Sequence, residues 1–177
     1  MAQSLKFKTC LKFVLVSEAG KDDDPDDAGG RTHTGITQAQ YDHWRKLHNK
    51  PKKDVWESTE DERAAVYHEL YWQPMQCEKM PLAIAYMVFD CSVLHGVNFA
   101  PKAAQYAIGV RQDGVIGPVT LAAAKAQNPL RVLDRMREKR WERMQSRPSF
   151  PKFKAGWKKR LDDVERNVKS LVRLSTD

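Results

Sequence analysis

VLVSEAGKDDDPDDAGGRTHTGIT, residues 14–37, is the stretch on which the reading of this chain turns. Leading into it, Leu11, Val14 and Leu15 stand at i, i+3 and i+4, and Glu18 falls at i+7 on the same stripe. That spacing predicts a helix over about Leu5–Ala19, with Gly20 as its stop. A carboxylic acid on the inward stripe of a helix loses water, which disfavours its charged form, and a general acid for glycosidic cleavage needs that. Beyond the helix, a Gly/Pro/Asp loop over residues 21–37, with room for a short β-hairpin, carries Asp27 and then Thr32, Thr34 and Thr37 back toward the acid. One glutamate, one aspartate and a threonine over a short helix-loop segment are the parts of a sugar-cleaving site. Each also has an ordinary reading: a glutamate near a helix end is usually solvated, and such a loop is usually a turn.

The loop crowds Asp22, Asp23, Asp24, Asp26 and Asp27 together, which raises the question of calcium. Their spacing does not fit a calcium-binding helix-loop-helix, so neither a metal nor a cofactor is expected.

Outward from this stretch the chain reads as helices. Thr37 can cap a helix over about Gln38–His48, with Tyr41, Trp44 and Leu47 as core and Trp44 kept as a candidate sugar-stacking platform. Thr59 and Glu62 form a capping-box pattern for a third helix running to about Trp72, whose last residues Tyr71 and Trp72 are candidates for lining a cleft. Pro81 can open a fourth helix, LAIAYMVFDCSVLHG, apolar nearly all round and therefore central and buried. Asp90 inside it needs partners and reads as a structural hydrogen-bond hub; His95 reads as a satisfied helix-end cap. Pro101–Ile108 is a short helix, and Asp113–Thr120 a turn with Pro118 starting the next one. Arg131, Arg135, Arg137, Lys139, Arg140, Arg143 and Arg147 then line a basic helix. After Pro148, Phe153, Trp157, Leu161, Val164, Val168 and Leu171 recur at helical spacing, an amphipathic helix expected to dock on the core with its cations in water.

Composition bounds the class. The chain has 177 residues, 41% of them hydrophobic and 30% charged, which suits one compact globular enzyme. No apolar run approaches the roughly 20 residues that span a bilayer, and the N-terminus shows no convincing signal-peptide cleavage site. Cys10, Cys77 and Cys91 are scattered, outside any metal spacing, and expected as buried free thiols. A net charge of +7 favours polyanionic partners without choosing among nucleic acid, lipid and bacterial envelope.

The opening stretch resembles the signature of the phage and secretion-associated N-acetylmuramidases of glycoside hydrolase family 108. Glu18-Ala19-Gly20 stands where the family has Glu-Gly-Gly, and Asp24-Pro25-Asp26-Asp27-Ala28-Gly29-Gly30-Arg31-Thr32-His33-Thr34-Gly35-Ile36-Thr37 follows its Asp-Pro-x-Asp-x-Gly-Gly-x-Thr-x-x-Gly-Ile-Thr. The likeness continues through TQAQYDHWRKL, DVWESTEDERAAVYHELYW, VFDCSVLHGVNFAPKAAQYAIGV and DGVIGPVTLAA, and so covers most of the chain. One departure is Leu94, at a position where the family usually has Asn.

The resemblance implies an all-α, mainly helical, lysozyme-like fold with a small loop or hairpin at the active site. It implies a catalytic region over 1–100 and a peptidoglycan-binding region with basic C-terminal helices over 101–177, packed as one unit. Glu18 takes the role of catalytic acid, with Asp27 and Thr32 assisting and Thr34 as the alternative threonine. The expected substrate is bacterial peptidoglycan, cleaved after N-acetylmuramic acid. The expected setting is a monomeric phage endolysin, made in the host cytoplasm and reaching the periplasmic wall through a separate membrane-permeabilising partner. The basic C-terminal helices are candidates for contact with anionic outer membrane or phospholipid. Two other classes remain open: a lytic transglycosylase, and a non-catalytic basic binder of wall or nucleic acid. Nucleic acid is not expected, because no helix-turn-helix or zinc signature is present.

Overall fold

The computed structural model describes residues 3–18 and 31–174, and residues 21–22 in their backbone. By its contacts the chain forms two compact units, Met1–Trp72 and Gln73–Asp177.

In the first unit, helix α1 spans Leu5–Ser17, opened by Ser4, whose hydroxyl accepts from Phe7 N at 3.1 Å. Its buried residues are Phe7, Cys10, Leu11 and Val14, an i, i+3, i+4, i+7 stripe. The helix ends before the expected Ala19, so Glu18 is its C-cap, not a member of its last turn. Three two-residue strands follow: β1 (Lys21–Asp22), β2 (Thr32–His33) and β3 (Ile36–Thr37), an antiparallel sheet in that order. His33 pairs with Ile36, so β2 and β3 are joined by Thr34 and Gly35 alone, with φ of +48° and +75°. Two central residues at positive φ are the hallmark of the turn whose twist suits a tight hairpin.

Helix α2 (Gln38–Leu47) is opened by a full capping box, Thr37 with Gln40. Its core side departs from expectation. Leu47 is 60% exposed, and Arg45, four residues after Tyr41, is buried in its place. Position i+6 has rotated off the stripe that i+4 still shares. Burial of the guanidinium is offset by partners: Arg45 donates to Pro51 O at 2.5 Å, to the Tyr41 hydroxyl at 2.9 Å and to Glu62 at 2.9 Å. Helix α3 (Glu60–Tyr67) starts with the expected Thr59/Glu62 capping box, then widens into a π turn over His68–Trp72.

The second unit is organised around α4 (Leu82–His95), buried over Ala83–Ser92, with Pro81 at its N-cap and Gly96 at its C-cap. Against it pack α5 (Ala100–Ile108), α7 (Pro129–Gln145) and α8 (Phe150–Leu174), while α6 (Pro118–Ala126) packs on α5. The turn before α6 is built by Gln105 of α5. Its amide donates to Asp113 at 2.6 Å and Val115 O at 3.0 Å, and accepts from Gly114 N at 2.8 Å. Helix α8 docks through Leu161, Val164, Val168 and Leu171, as its spacing predicts. Two of the basic residues correct the expectation of solvated cations: Arg140 is 1% exposed and Arg160 is also buried. Both reach Asp90, Arg140 at 2.6 Å and Arg160 at 3.0 Å, and this is the hub expected of that residue. Burial opposes ionisation of Asp90, but the two guanidiniums win and hold its carboxyl below the usual range. The three cysteines are free and buried. Among the described residues no helix is long and apolar enough to cross a membrane.

Candidate active site

Glu18 follows α1 directly, half-buried, with its N–H on Leu15 O at 3.2 Å. Its carboxyl group lies against the hairpin tip. A Cβ placed on Gly35 would fall 2.8 Å from Glu18 Cδ, closer still to Oε2, and 3.0 Å from the Tyr67 hydroxyl. Glycine at position 35 therefore answers two demands, a positive φ and the space the acid occupies.

The hairpin beside the acid is held by donors from residues 55–67. The Tyr67 hydroxyl donates to Thr34 O at 2.5 Å and the Trp56 indole N–H to Thr32 O at 2.9 Å. His33 Nδ1 lies 3.1 Å from Val55 O. Arg31 covers the Trp56 ring at 3.6 Å and pairs with Asp54 at 3.1 Å. Thr34, a β-branched residue at positive φ, is strained by about 1–3 kcal/mol, and these bonds hold it there. Its hydroxyl is buried with no hydrogen-bond partner among the described residues. Thr32 is half-buried on β2, in register with Thr37 of β3.

Tyr71, on the π turn, is the second phenol near the acid. Gln40 fixes its orientation: Gln40 Oε1 accepts from Thr37 N at 2.9 Å, so its Nε2 faces Tyr71 and donates to the hydroxyl at 2.5 Å. The Tyr71 proton is left to point elsewhere. Burial first, then the charge of Glu18, push this phenol up to about 12. Tyr71 is thus a neutral phenol at neutral pH, within electrostatic reach of Glu18.

The structure brings together Glu18, the Thr34–Gly35 tip, Tyr67 and Tyr71. Asp27 lies outside the described residues. Trp44 is corrected as a sugar platform and Trp72 as a cleft-lining residue. Trp44 is 4% exposed and stacked on Tyr41, and Trp72 is 1% exposed and packed edge-on to Phe7. A stacking platform must show a ring face to solvent, and neither does. Gly35, Gln40, Trp56 and Tyr67 escaped the sequence reading; Thr37-x-x-Gln40 as a capping box and Thr34-Gly35 as a two-residue hairpin turn were the available signals. Among the described residues no group of three or more His, Cys, Asp or Glu is placed to hold a metal ion. An acid seated against a rigid hairpin, with a neutral phenol in electrostatic reach, is suited to delivering a proton to a leaving oxygen.

Residues 11–96 match the sequence profile of a family described as Glycosyl hydrolase 108. Among solved structures the chain is similar to SagA of Brucella abortus, at 28% identity and a TM-score of 0.83, over 94% of this chain and 95% of that one. No curated protein matches the sequence.

Proposed function

This chain belongs to the glycosyl hydrolase 108 family and is a glycoside hydrolase, and from that premise we propose that it is a peptidoglycan N-acetylmuramidase. The observation that carries the reading is the seat of the Glu18 carboxyl group against Gly35, under the tip of the pinned hairpin. Glu18 protonates the glycosidic oxygen as the bond to N-acetylmuramic acid breaks. Asp27, with Thr32 or Thr34, positions the attacking water or stabilises the oxocarbenium-like transition state. A carboxyl separation of about 5 Å between Glu18 and Asp27 gives a retaining enzyme, and one of about 6.5–9.5 Å an inverting one.

The biological setting we infer is a phage endolysin, held in the host cytoplasm until a separate partner opens the membrane. The first turns of α8 support contact with anionic lipid in that setting. Residues 151–156 are all exposed, Phe153 is 42% exposed with Lys152 over its ring at 5.3 Å, and Lys154, Lys158 and Lys159 are exposed on the same turns of the helix. An interfacial helix has this combination of aromatic and cation.

Mass spectrometry of muropeptides released from purified peptidoglycan tests the activity. Wild type should release fragments with N-acetylmuramic acid at the reducing end, and Glu18→Gln should lose at least about 100-fold in rate, the lower range for a general acid. Anhydro products would make the enzyme a lytic transglycosylase. Full activity in Glu18→Gln, or no release from either protein, would overturn the assignment.

A further inference from the structure

The face that α7 turns to α4 is balanced in charge at one end only. Asp90 takes both Arg140 and Arg160. One turn further along α7 is Arg143, and just past the helix end is Arg147; neither has an acidic partner among the described residues, and they repel each other. Opposite them stands His95, whose expected role as a satisfied cap is not met: its Nε2 is buried without a hydrogen-bond partner among the described residues. Arg143 Nε is buried and unpartnered in the same way. The two groups flank one ring, Arg143 over Phe99 at 4.5 Å and His95 edge-on to it at 5.3 Å. Beside them opens a pocket of about 100 Å³ lined by Leu94, His95, Met144, Arg147 and Trp157, with walls from α4, α7, the turn after α7 and α8. A folded chain rarely leaves buried polar nitrogens orphaned or collects guanidiniums without a counter-charge, and a missing anion resolves both anomalies.

We propose that this pocket binds a phosphate group, with Arg147 of its lining as ion partner, Arg143 adding its charge from beside the pocket, and His95 Nε2–H as a neutral hydrogen-bond donor. Donors from two helices around a compact pocket suit an anion with several acceptor oxygens better than a planar carboxylate with two. His95 fits a neutral donor, since burial and then the neighbouring arginines lower its pKa to about 2. The phosphate has two possible sources, the diester of a phospholipid headgroup or a phosphate on a soluble or wall-borne polymer. The inference is independent of the muramidase reading, because it uses none of the residues assigned to that reaction.

The test is calorimetric titration of the full chain with inorganic phosphate at fixed ionic strength, with acetate as comparator. Wild type should bind one phosphate saturably, and acetate at least tenfold more weakly. Arg143→Gln/Arg147→Gln should weaken phosphate at least tenfold while hydrolysing purified peptidoglycan at the wild-type rate. Arg147→Gln alone, at an exposed position, keeps the test valid if the double variant is poorly folded, and it should weaken phosphate severalfold. Lys152→Gln/Lys154→Gln should leave phosphate binding unchanged. Non-saturable uptake, equal binding in the arginine variants, or acetate matching phosphate would overturn the proposal. The source follows from competition. If phosphatidylglycerol vesicles, and not phosphatidylcholine vesicles, pull down wild type but not Arg147→Gln, the site takes a headgroup. If glycerol phosphate displaces inorganic phosphate and neither vesicle shows that difference, it takes a free or polymer-borne phosphate.

Discussion

The two units of this chain hold themselves together by different means. Met1–Trp72 is made of short helices, two-residue strands and a π turn, and its key positions are fixed by side chains bonded to backbone: Tyr67 on Thr34, Trp56 on Thr32, Gln40 on Thr37, Arg45 on Pro51. Gln73–Asp177 is made of longer helices around the buried α4, held by apolar packing, by one fully buried ionic knot among the described residues, Asp90 with Arg140 and Arg160, and by the half-exposed pairing of Arg137 with Asp162 and Glu165. Directional bonds fix where one atom sits, whereas apolar packing fixes little except that the layers stay together. The unit carrying Glu18 uses the first kind. The difference teaches that disruption of the first unit should show mainly in catalysis, and disruption of the second mainly in stability.

Asp90→Asn should produce the largest effect. It leaves two buried guanidiniums without their counter-charge, and loss of one member of a buried ionic cluster costs about 3–5 kcal/mol. Urea denaturation should show that loss, while muropeptide release at a temperature where the variant is folded stays near wild type. A stable Asp90→Asn, or a folded one with no activity, would break the division of labour between the units. Gly35→Ala is the converse. The methyl group must displace the Glu18 carboxyl, and misplacing a reacting group by about 1 Å can cost about 100-fold in rate. The strain of alanine at φ +75° should cost only about 1 kcal/mol in stability. A wild-type rate for Gly35→Ala would mean that the acid does not work from this seat.

Gln40→Leu should fall between the two classes. It removes the reciprocal half of the capping box and the bond that orients Tyr71, together about 1–2 kcal/mol. Because Tyr71 is then free to turn, the rate should also fall severalfold; a loss of stability alone would show that Tyr71 needs no orienting. The sequence disclosed some of this arrangement and hid the rest for physical reasons. Helix starts at Thr37 and Thr59 were legible because caps are local, and the docking stripe of α8 was legible because 3.6-residue periodicity is written in the chain. Asp90 was legible as a hub because an acid in an apolar helix must have partners. Which arginines answer it was not, since Arg140 and Arg160 differ from their solvated neighbours only by their place in the packing. Glu18 was legible as the candidate acid, but its seat was not: a glycine that leaves room for a carboxyl, and two phenols delivered by the end of α3 and its π turn, depend on contacts between distant segments.

His95 should give the smallest effect and the sharpest comparison with the first unit, because it works through pH alone. Burial first, then Arg140 and Arg143, lower its pKa from 6.5 to about 2, with Asp90 opposing. Above pH 6.5 the imidazole is neutral in both folded and unfolded chains, and its contribution is constant. Below that, the unfolded chain gains a proton that the folded chain refuses, so stability falls as pH falls. The slope is at most about 1.4 kcal/mol per pH unit, less the relief that partial solvent access provides. His95→Gln removes the titration. Melting curves taken from pH 8 to pH 5 in phosphate-free buffer should therefore differ between the two proteins by a fixed amount down to about pH 6.5 and converge below it. Carboxylates begin to titrate below that window and affect both proteins alike. Parallel curves would mean that His95 accepts its proton in the folded chain, and that the second unit supplies an acidic partner for it.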